Sequence, residues 1–151
     1  MKVIYLVLIS FYSCVGYSMQ ISKNLNVSVN IVSNQSNNIL EIKPSKTSYL
    51  ARYLVGEQRF EPLEIPFKLK SVSGHAVNYV LSANALVGRC DNEDLTLSST
   101  LDGVKVDLNS YYSYFSVERE HRLVVDFPIF TQSQNNVYCE GYVSVVASLD
   151  I

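Results

Sequence analysis

The feature that most constrains this chain is a run of strict alternation near its beginning. In Ile21-Ser22-Lys23-Asn24-Leu25-Asn26-Val27-Ser28-Val29-Asn30-Ile31, the residues Leu25, Val27, Val29 and Ile31 fall on one side and Asn26, Ser28 and Asn30 on the other. A period of two over this length fits a half-buried strand and no helix. The chain ends the same way: after Gly141, the residues Val143, Val145, Ala147, Leu149 and Ile151 alternate with Tyr142, Ser144, Val146, Ser148 and Asp150. Ends of domains usually fray. Here both ends carry core-type strands, so each must find a partner.

Between them, alternation recurs at Leu63-Ile65-Phe67-Leu69, Val77-Tyr79-Leu81-Ala83, Val104-Val106-Leu108 and Leu123-Val125-Phe127. Ser73-Gly74, Asp91-Asn92 and Asp102-Gly103 supply turns. No stretch of ten residues holds a helical period. Several short strands at this spacing predict an all-β chain folded as a β-sandwich. Pro62 and Pro66 flank Glu64, so an exposed or bulged edge is expected there, because proline cannot donate to a ladder. The polar cluster Ser33-Asn34-Gln35-Ser36-Asn37-Asn38 separates the first strand from the rest and reads as a flexible loop or hinge.

Before the first strand, Met1-Lys2 and the apolar run Val3 to Ile9 lead to small residues at Gly16-Tyr17-Ser18, the pattern of a secretory signal peptide cleaved before Met19. The run is shorter than the roughly 20 residues that cross a bilayer. Phe11-Tyr12-Ser13 is a poor setting for lipidation at Cys14. Removing 18 of 151 residues leaves 133, enough for one core and no room for two domains. The organisation expected is a leader at 1–18, a first strand segment at 19–32 and a β-sandwich at 33–151.

Loss of Lys2 leaves 11 basic against 14 acidic residues, a charge near −3, which excludes electrostatic capture of nucleic acid. Cleavage also removes Cys14. Cys90 and Cys139 then remain alone in an oxidising compartment, where a structural disulfide is expected. A thiol nucleophile working with His75 or His121 would need a reduced cysteine and an orienting group, and neither is indicated.

Other candidate chemistry is thin. His75 lies in a Ser73-Gly74-His75 turn and His121 in the charged run Glu118-Arg119-Glu120-His121-Arg122, so both read as solvated. No metal site is expected from two separated histidines. Asp91-Asn92-Glu93-Asp94 lacks the spacing and glycine of a calcium loop and reads as an acidic turn. No nucleophile-elbow, zinc-helix or phosphate-loop motif occurs, so neither an enzyme nor a cofactor is expected. Asn26-Val27-Ser28 and Asn34-Gln35-Ser36 match the glycosylation sequon, which matters only in a eukaryotic secretory route. Tyr111-Tyr112-Ser113-Tyr114-Phe115 reads as a strand with some rings in the core; the other reading is an exposed receptor-binding patch.

Three stretches together carry a resemblance. Ser22 to Ile31 resembles the N-terminal donor segment of pilins in the alternate chaperone–usher class, the colonisation-factor antigen fimbriae of enteric bacteria. Arg59-Phe60-Glu61 followed by Val77-Asn78-Tyr79-Val80-Leu81-Ser82-Ala83 is similar to that family's middle. Tyr138-Cys139-Glu140-Gly141-Tyr142-Val143-Ser144-Val145-Val146 is similar to its terminal strand. The cysteine pair and Asn136-Val137, where the family has a glycine, are departures from the pattern of its shaft subunits.

The resemblance implies an incomplete immunoglobulin-like β-sandwich completed by donor-strand exchange, in which a neighbouring copy supplies the missing strand. Leu25, Val27, Val29 and Ile31 would be the donor residues, and Tyr142, Val143, Val145, Ala147 and Leu149 would belong to the terminal strand beside the groove. Burying four such side chains gains roughly 6–12 kcal/mol before entropy. The implied partners are a periplasmic chaperone, an outer-membrane usher, other fimbrial subunits and a host receptor. The implied location is a fimbria reached through the periplasm, and the implied role is bacterial adhesion. The competing expectation is a self-contained secreted binding module in which residues 21–31 pair within their own sheet and a surface near Tyr111 to Phe115 holds a glycan or protein. A secreted hydrolase or inhibitor has no catalytic constellation to rest on.

Overall fold

The alternating segments become strands in a computed structural model that describes residues 24–33, 39–91, 93–131 and 138–150. The expected leader, Cys14, the first strand segment up to Lys23, residues 34–38 with the second sequon, Asn136-Val137 and Ile151 lie outside the described residues. Twelve strands and no helix are found among those described.

The first sheet contains β1 (Asn24–Ser33), β3 (Ser48–Leu54), β4 (Arg59–Phe60), β6 (Val77–Cys90), β7 (Glu93–Leu95), β10 (Tyr112–Ser116) and β12 (Cys139–Leu149). Its order is β10-β6-β12-β1-β3-β4, with β7 also on β6. The second contains β2 (Leu40–Pro44), β5 (Leu63–Ser71), β8 (Ser98–Leu101), β9 (Val104–Lys105) and β11 (Glu118–Asp126), in the order β2-β5-β11-β8-β9. The two sheets form a sandwich-like arrangement. Alternation decides what lies between them: Leu63, Ile65, Phe67 and Leu69 from β5 and Leu123 and Val125 from β11 meet Tyr79, Leu81, Val143, Val145 and Ala147 from the other sheet. On β1 the outward positions Asn24, Asn26, Ser28 and Asn30 are polar and exposed, as expected of a sheet wet on one face, while Leu50, Val87 and Tyr142 leave apolar surface on the same outer face.

One strand changes phase in its middle. In β6 the inward residues are Tyr79, Leu81 and Ala83, all odd, yet further on the buried ones are Gly88 and Cys90, both even. The ladder to β12 explains this, since Ser144 faces Ala85 and Val145 faces Ala83, leaving Asn84 as an extra residue in a β-bulge. The alternation read from the sequence stops at Ala83 because the bulge breaks its parity. Without that residue Cys90 would point to solvent. With it, Cys90 turns inward opposite Cys139 and the two form a disulfide with an S–S distance of 2.07 Å.

Two expectations are corrected. Val104-Val106-Leu108 is not a buried strand: only Val106 is buried, and Val104 and Leu108 are exposed. Asp102 and Gly103 both have positive φ, 51° and 83°, and Leu101 pairs with Val104. That is the geometry of a two-residue type I′ hairpin, which turns the chain back on β8 after a ladder of only two residue pairs. His121, read as solvated, is fully buried at 0% exposure. It occupies the inward position two residues before Leu123, in phase with β11. Pro66 faces Arg122 of β11 on one side and lies just beyond the end of the β2 ladder on the other. Its carbonyl accepts from Ser45 N at 3.2 Å, and the β2 ladder begins only at Phe67.

Candidate functional site

The first candidate is the seat of β1. This strand lies between β12, to which it runs parallel, and β3, to which it runs antiparallel. Leu25, Val27, Val29 and Ile31 all point into the core, with Leu25 at 0% exposure. In this structure the segment expected to donate therefore pairs within its own chain. Leu25 stands opposite Cys139 and Ile31 opposite Val145. Of the terminal-strand residues, Val143, Val145 and Ala147 are buried, Leu149 is half-buried and Tyr142 points outward to solvent.

Two glycines shape this seat. Gly88 and Gly141 face each other across the β6–β12 ladder, and Val27 is the next residue along the row. A Cβ on Gly141 would stand 3.1 Å from Val27 Cγ2 and 3.3 Å from the Val87 carbonyl oxygen. The missing side chain is thus the space Val27 fills. On the other side, a Cβ on Gly88 would press on Leu97 at 3.1 Å.

The second candidate is a polar knot at the far end of the core. His121 Nδ1 lies 2.8 Å from Asp102 Oδ2, and His121 Nε2 lies 2.7 Å from the Tyr79 hydroxyl. Burial tends to raise the Asp102 pKa, but hydrogen bonds from the Arg122 N–H and from His121, with the Arg119 charge, hold it below its usual value. An ionised carboxylate can only accept, so Nδ1 carries the proton and Nε2 accepts from Tyr79. Burial lowers the His121 pKa, against the pull of Asp102. The ring stacks on Phe67 with centroids 5.3 Å apart and meets the edge of Tyr114 at 4.6 Å. Burial raises Tyr114 to about 12, and Arg119 covers its ring at 4.7 Å. Every polar atom of the imidazole is engaged and no face meets water. This knot ties β11 to β5, β6, β10 and the β8–β9 turn; it has no open position for a substrate.

Sequence reasoning missed the knot although two signals pointed to it. His121 continues the Leu123-Val125-Phe127 alternation backwards, and Asp102 precedes a glycine in a turn that returns beside β11. The charged neighbours Glu120 and Arg122 masked the phase.

The third candidate is a groove of about 540 Å3 on the outer face of the first sheet, across β6, β12, β1 and β3. Two cross-strand rows form it. Arg89, Glu140 and Asn26 make one; Val87, Tyr142, Ser28 and Ser48 make the other, with Tyr138 at one end. Asn30 Nδ2 donates to the Tyr142 hydroxyl at 3.5 Å. Asp91 and Asp94 do not form a cation site: Asp91 Oδ1 accepts from Tyr138 N at 2.9 Å and Asp94 binds Arg89 at 2.9 Å. Among the described residues no group of three acidic, histidine or cysteine side chains is placed to hold a metal ion.

The aromatic run divides by parity. Tyr112 and Tyr114 turn partly inward, while Tyr111, just before the edge strand β10, and Phe115 on it are exposed, Phe115 at 66%. His75 is exposed in its turn, with its N–H donating to Ser73 Oγ at 3.4 Å. Compared with known proteins, the chain matches no protein-family model and no curated sequence.

Proposed function

We propose that the protein is a structural subunit of a surface fimbria, built on an incomplete immunoglobulin-like sandwich that is completed by exchange of the first strand between copies. The observation that carries this reading is the construction of the β1 seat. Four buried apolar side chains of one strand fill a slot between β12 and β3. That strand is the first of the described elements and passes to β2 in the other sheet by a single connection, so it can leave without unthreading any other strand. An identical strand from a second copy fits the same slot by the same chemistry. Because donor and acceptor surfaces differ, such a contact is head-to-tail and propagates into a fibre when each copy donates to a new neighbour; reciprocal exchange within one pair would instead close as a dimer.

The reading brings its partners with it. An empty slot exposes the edges of β12 and β3 and an apolar strip between them, which invites aggregation. A periplasmic chaperone covering the slot and an outer-membrane usher releasing it answer that hazard. Adhesion then follows from display of many copies at the cell surface.

The experiment is a trans-complementation. A chain lacking residues 19–33 is produced in the periplasm with and without a co-expressed chaperone, then offered a synthetic peptide of residues 19–33. Stable binding of the peptide, together with fibre growth by the intact chain at rising concentration, supports the proposal. An intact chain that stays monomeric at all concentrations, with a truncated form that is unfolded and takes up no peptide, overturns it. That outcome favours the second reading, a self-contained secreted β-sandwich, for which the pairing of β1 within its own chain speaks directly.

A further inference from the structure

We infer that the outer groove of the first sheet is a binding site for a neutral oligosaccharide, with Tyr142 and Tyr138 as its stacking platforms and the polar side chains of β1 as its floor. This goes beyond the fibre reading and does not rest on it; it requires only that β1 be seated as in this structure.

The volume, about 540 Å3, accommodates two or three sugar rings. Its place in the fold restricts what enters. The groove lies on a sheet face, where β6, β12, β1 and β3 already spend their main-chain hydrogen bonds on each other. A peptide strand therefore gains no ladder there, and recognition falls to side chains. Those side chains are of two kinds. Tyr138, at 68% exposure, Tyr142 and Val87 offer apolar surface, and the tyrosine rings present the electron-rich faces on which the C–H face of a pyranose rests. Asn26 and Ser28 offer amide and hydroxyl groups that both donate and accept, which matches sugar hydroxyls.

Charge completes the selection. Among the described residues Arg89 is the one cation in the lining, and its Nε donates to Asp94 at 2.9 Å, so its charge is offset by a carboxylate. Glu140 faces Arg89 across the ladder and adds an uncommitted carboxylate among the described residues. An anionic ligand such as a sialylated or sulfated glycan meets one cation flanked by two carboxylates, Asp94 and Glu140, a set with a net negative charge. A single carboxylate without supporting oxygens does not make a cation site. What remains favoured is a ligand rich in hydroxyls and without charge.

The test uses the mature, folded chain. Lacto-N-neotetraose, chitotriose and maltotriose are titrated against isotope-labelled protein, with sialyllactose as the anionic comparison. Saturable binding of at least one neutral sugar is expected, with amide shifts at Val87, Glu140 and Tyr142. Truncation of a stacking anchor, Tyr142→Ala, is expected to weaken that binding about tenfold or more. Tyr138→Ala weakens it too, and Tyr142→Phe, which keeps the ring, weakens it least. Tyr111→Ala, just before β10 and outside the groove lining, leaves it unchanged. Tyr142 and Tyr138 are exposed, so unfolding midpoints report that the variants remain folded. The inference is overturned when none of the neutral sugars saturates, when sialyllactose binds better, when the shifts gather at Tyr111 to Phe115, or when both alanine variants bind like the parent. Failure here leaves strand exchange untouched, because that is read from polymer growth and not from sugar binding.

Discussion

The β1 seat and the His121 knot hold the same sandwich by opposite means. At β1 the contacts are apolar and repetitive: one side chain every second residue, with no buried hydrogen bond between side chains. At His121 a single side chain engages Asp102, Tyr79, Phe67 and Tyr114, drawn from three strands and a hairpin turn. A repetitive apolar seat tolerates replacement by any strand of the same pattern. A fully satisfied polar knot accepts only its own partners and fixes the register of the strands it joins. The molecule therefore pairs one exchangeable strand with a core that is hard to rearrange.

The largest effect that tests this contrast is a charge in the seat. Val27→Asp places a carboxylate against the Gly141 notch, and keeping it buried costs on the order of 5 kcal/mol. If β1 is separable, the strand leaves instead, and amide exchange rises in β1 and β3 while β5 and β11 stay protected. Uniform loss of protection through both sheets breaks the comparison. Next in size is the disulfide. Cys90→Ser combined with Cys139→Ser opens a loop with a sequence separation of 49, for which loop-closure entropy gives about 4 kcal/mol. Denaturant titration is expected to show this loss as a lower midpoint with both sheets still unfolding in one transition.

A smaller change sharpens the contrast because it is reversible by design. Gly141→Ala sets a methyl group 3.1 Å from Val27 and 3.3 Å from a carbonyl, an overpacking cost of about 2 kcal/mol. Adding Val27→Ala removes one of those clashes, so the double variant is expected to be more stable than the sum of the two single changes. Additivity within a few tenths of a kcal/mol would show that Val27 and the notch are not coupled.

Much of this architecture was legible in the order of residues, and the reasons are local. β1 and β5 bury every second residue, so their inward faces follow from counting, and Asp102-Gly103 announces its hairpin because only a few residue types accept two positive φ values. What escaped was non-local. The bulge at Asn84 is defined by the partner strand, and it alone explains why Cys90 faces Cys139. Val104 and Leu108 kept the alternating pattern with no sheet to bury them, since the hairpin leaves only two paired residues. The outer groove has no sequence signature at all, because Arg89, Glu140 and Asn26 become neighbours only through the order β6-β12-β1.

The smallest effect concerns protons, and its sign follows from the knot. Burial lowers the His121 pKa in the folded protein below the 6.5 of the free side chain, so the unfolded chain binds the proton more readily. Stability from this group is complete above pH 6.5. It declines as pH falls from there toward the folded pKa, and below that value no further loss comes from His121. The groups facing the ring are Asp102, Tyr79, Tyr114 and Arg119, and of these Asp102 titrates next, with a folded pKa lowered from 3.8, so it adds a second decline at still lower pH. Protonated His121 would place a second donor against the Tyr79 hydroxyl, which can accept it only by turning its own O–H away from the ring toward Ser116 Oγ, 3.3 Å away. His121→Phe keeps the stacking on Phe67 and removes the titration. Its unfolding midpoint is expected to be lower than the parent's at pH 7.5 but flat between pH 7.5 and 5, where the parent's falls. Because β1 makes none of these contacts, its amide exchange should follow the parent's pH dependence only through global unfolding, and a β1-specific opening in the same pH window would mean the two regions are coupled after all.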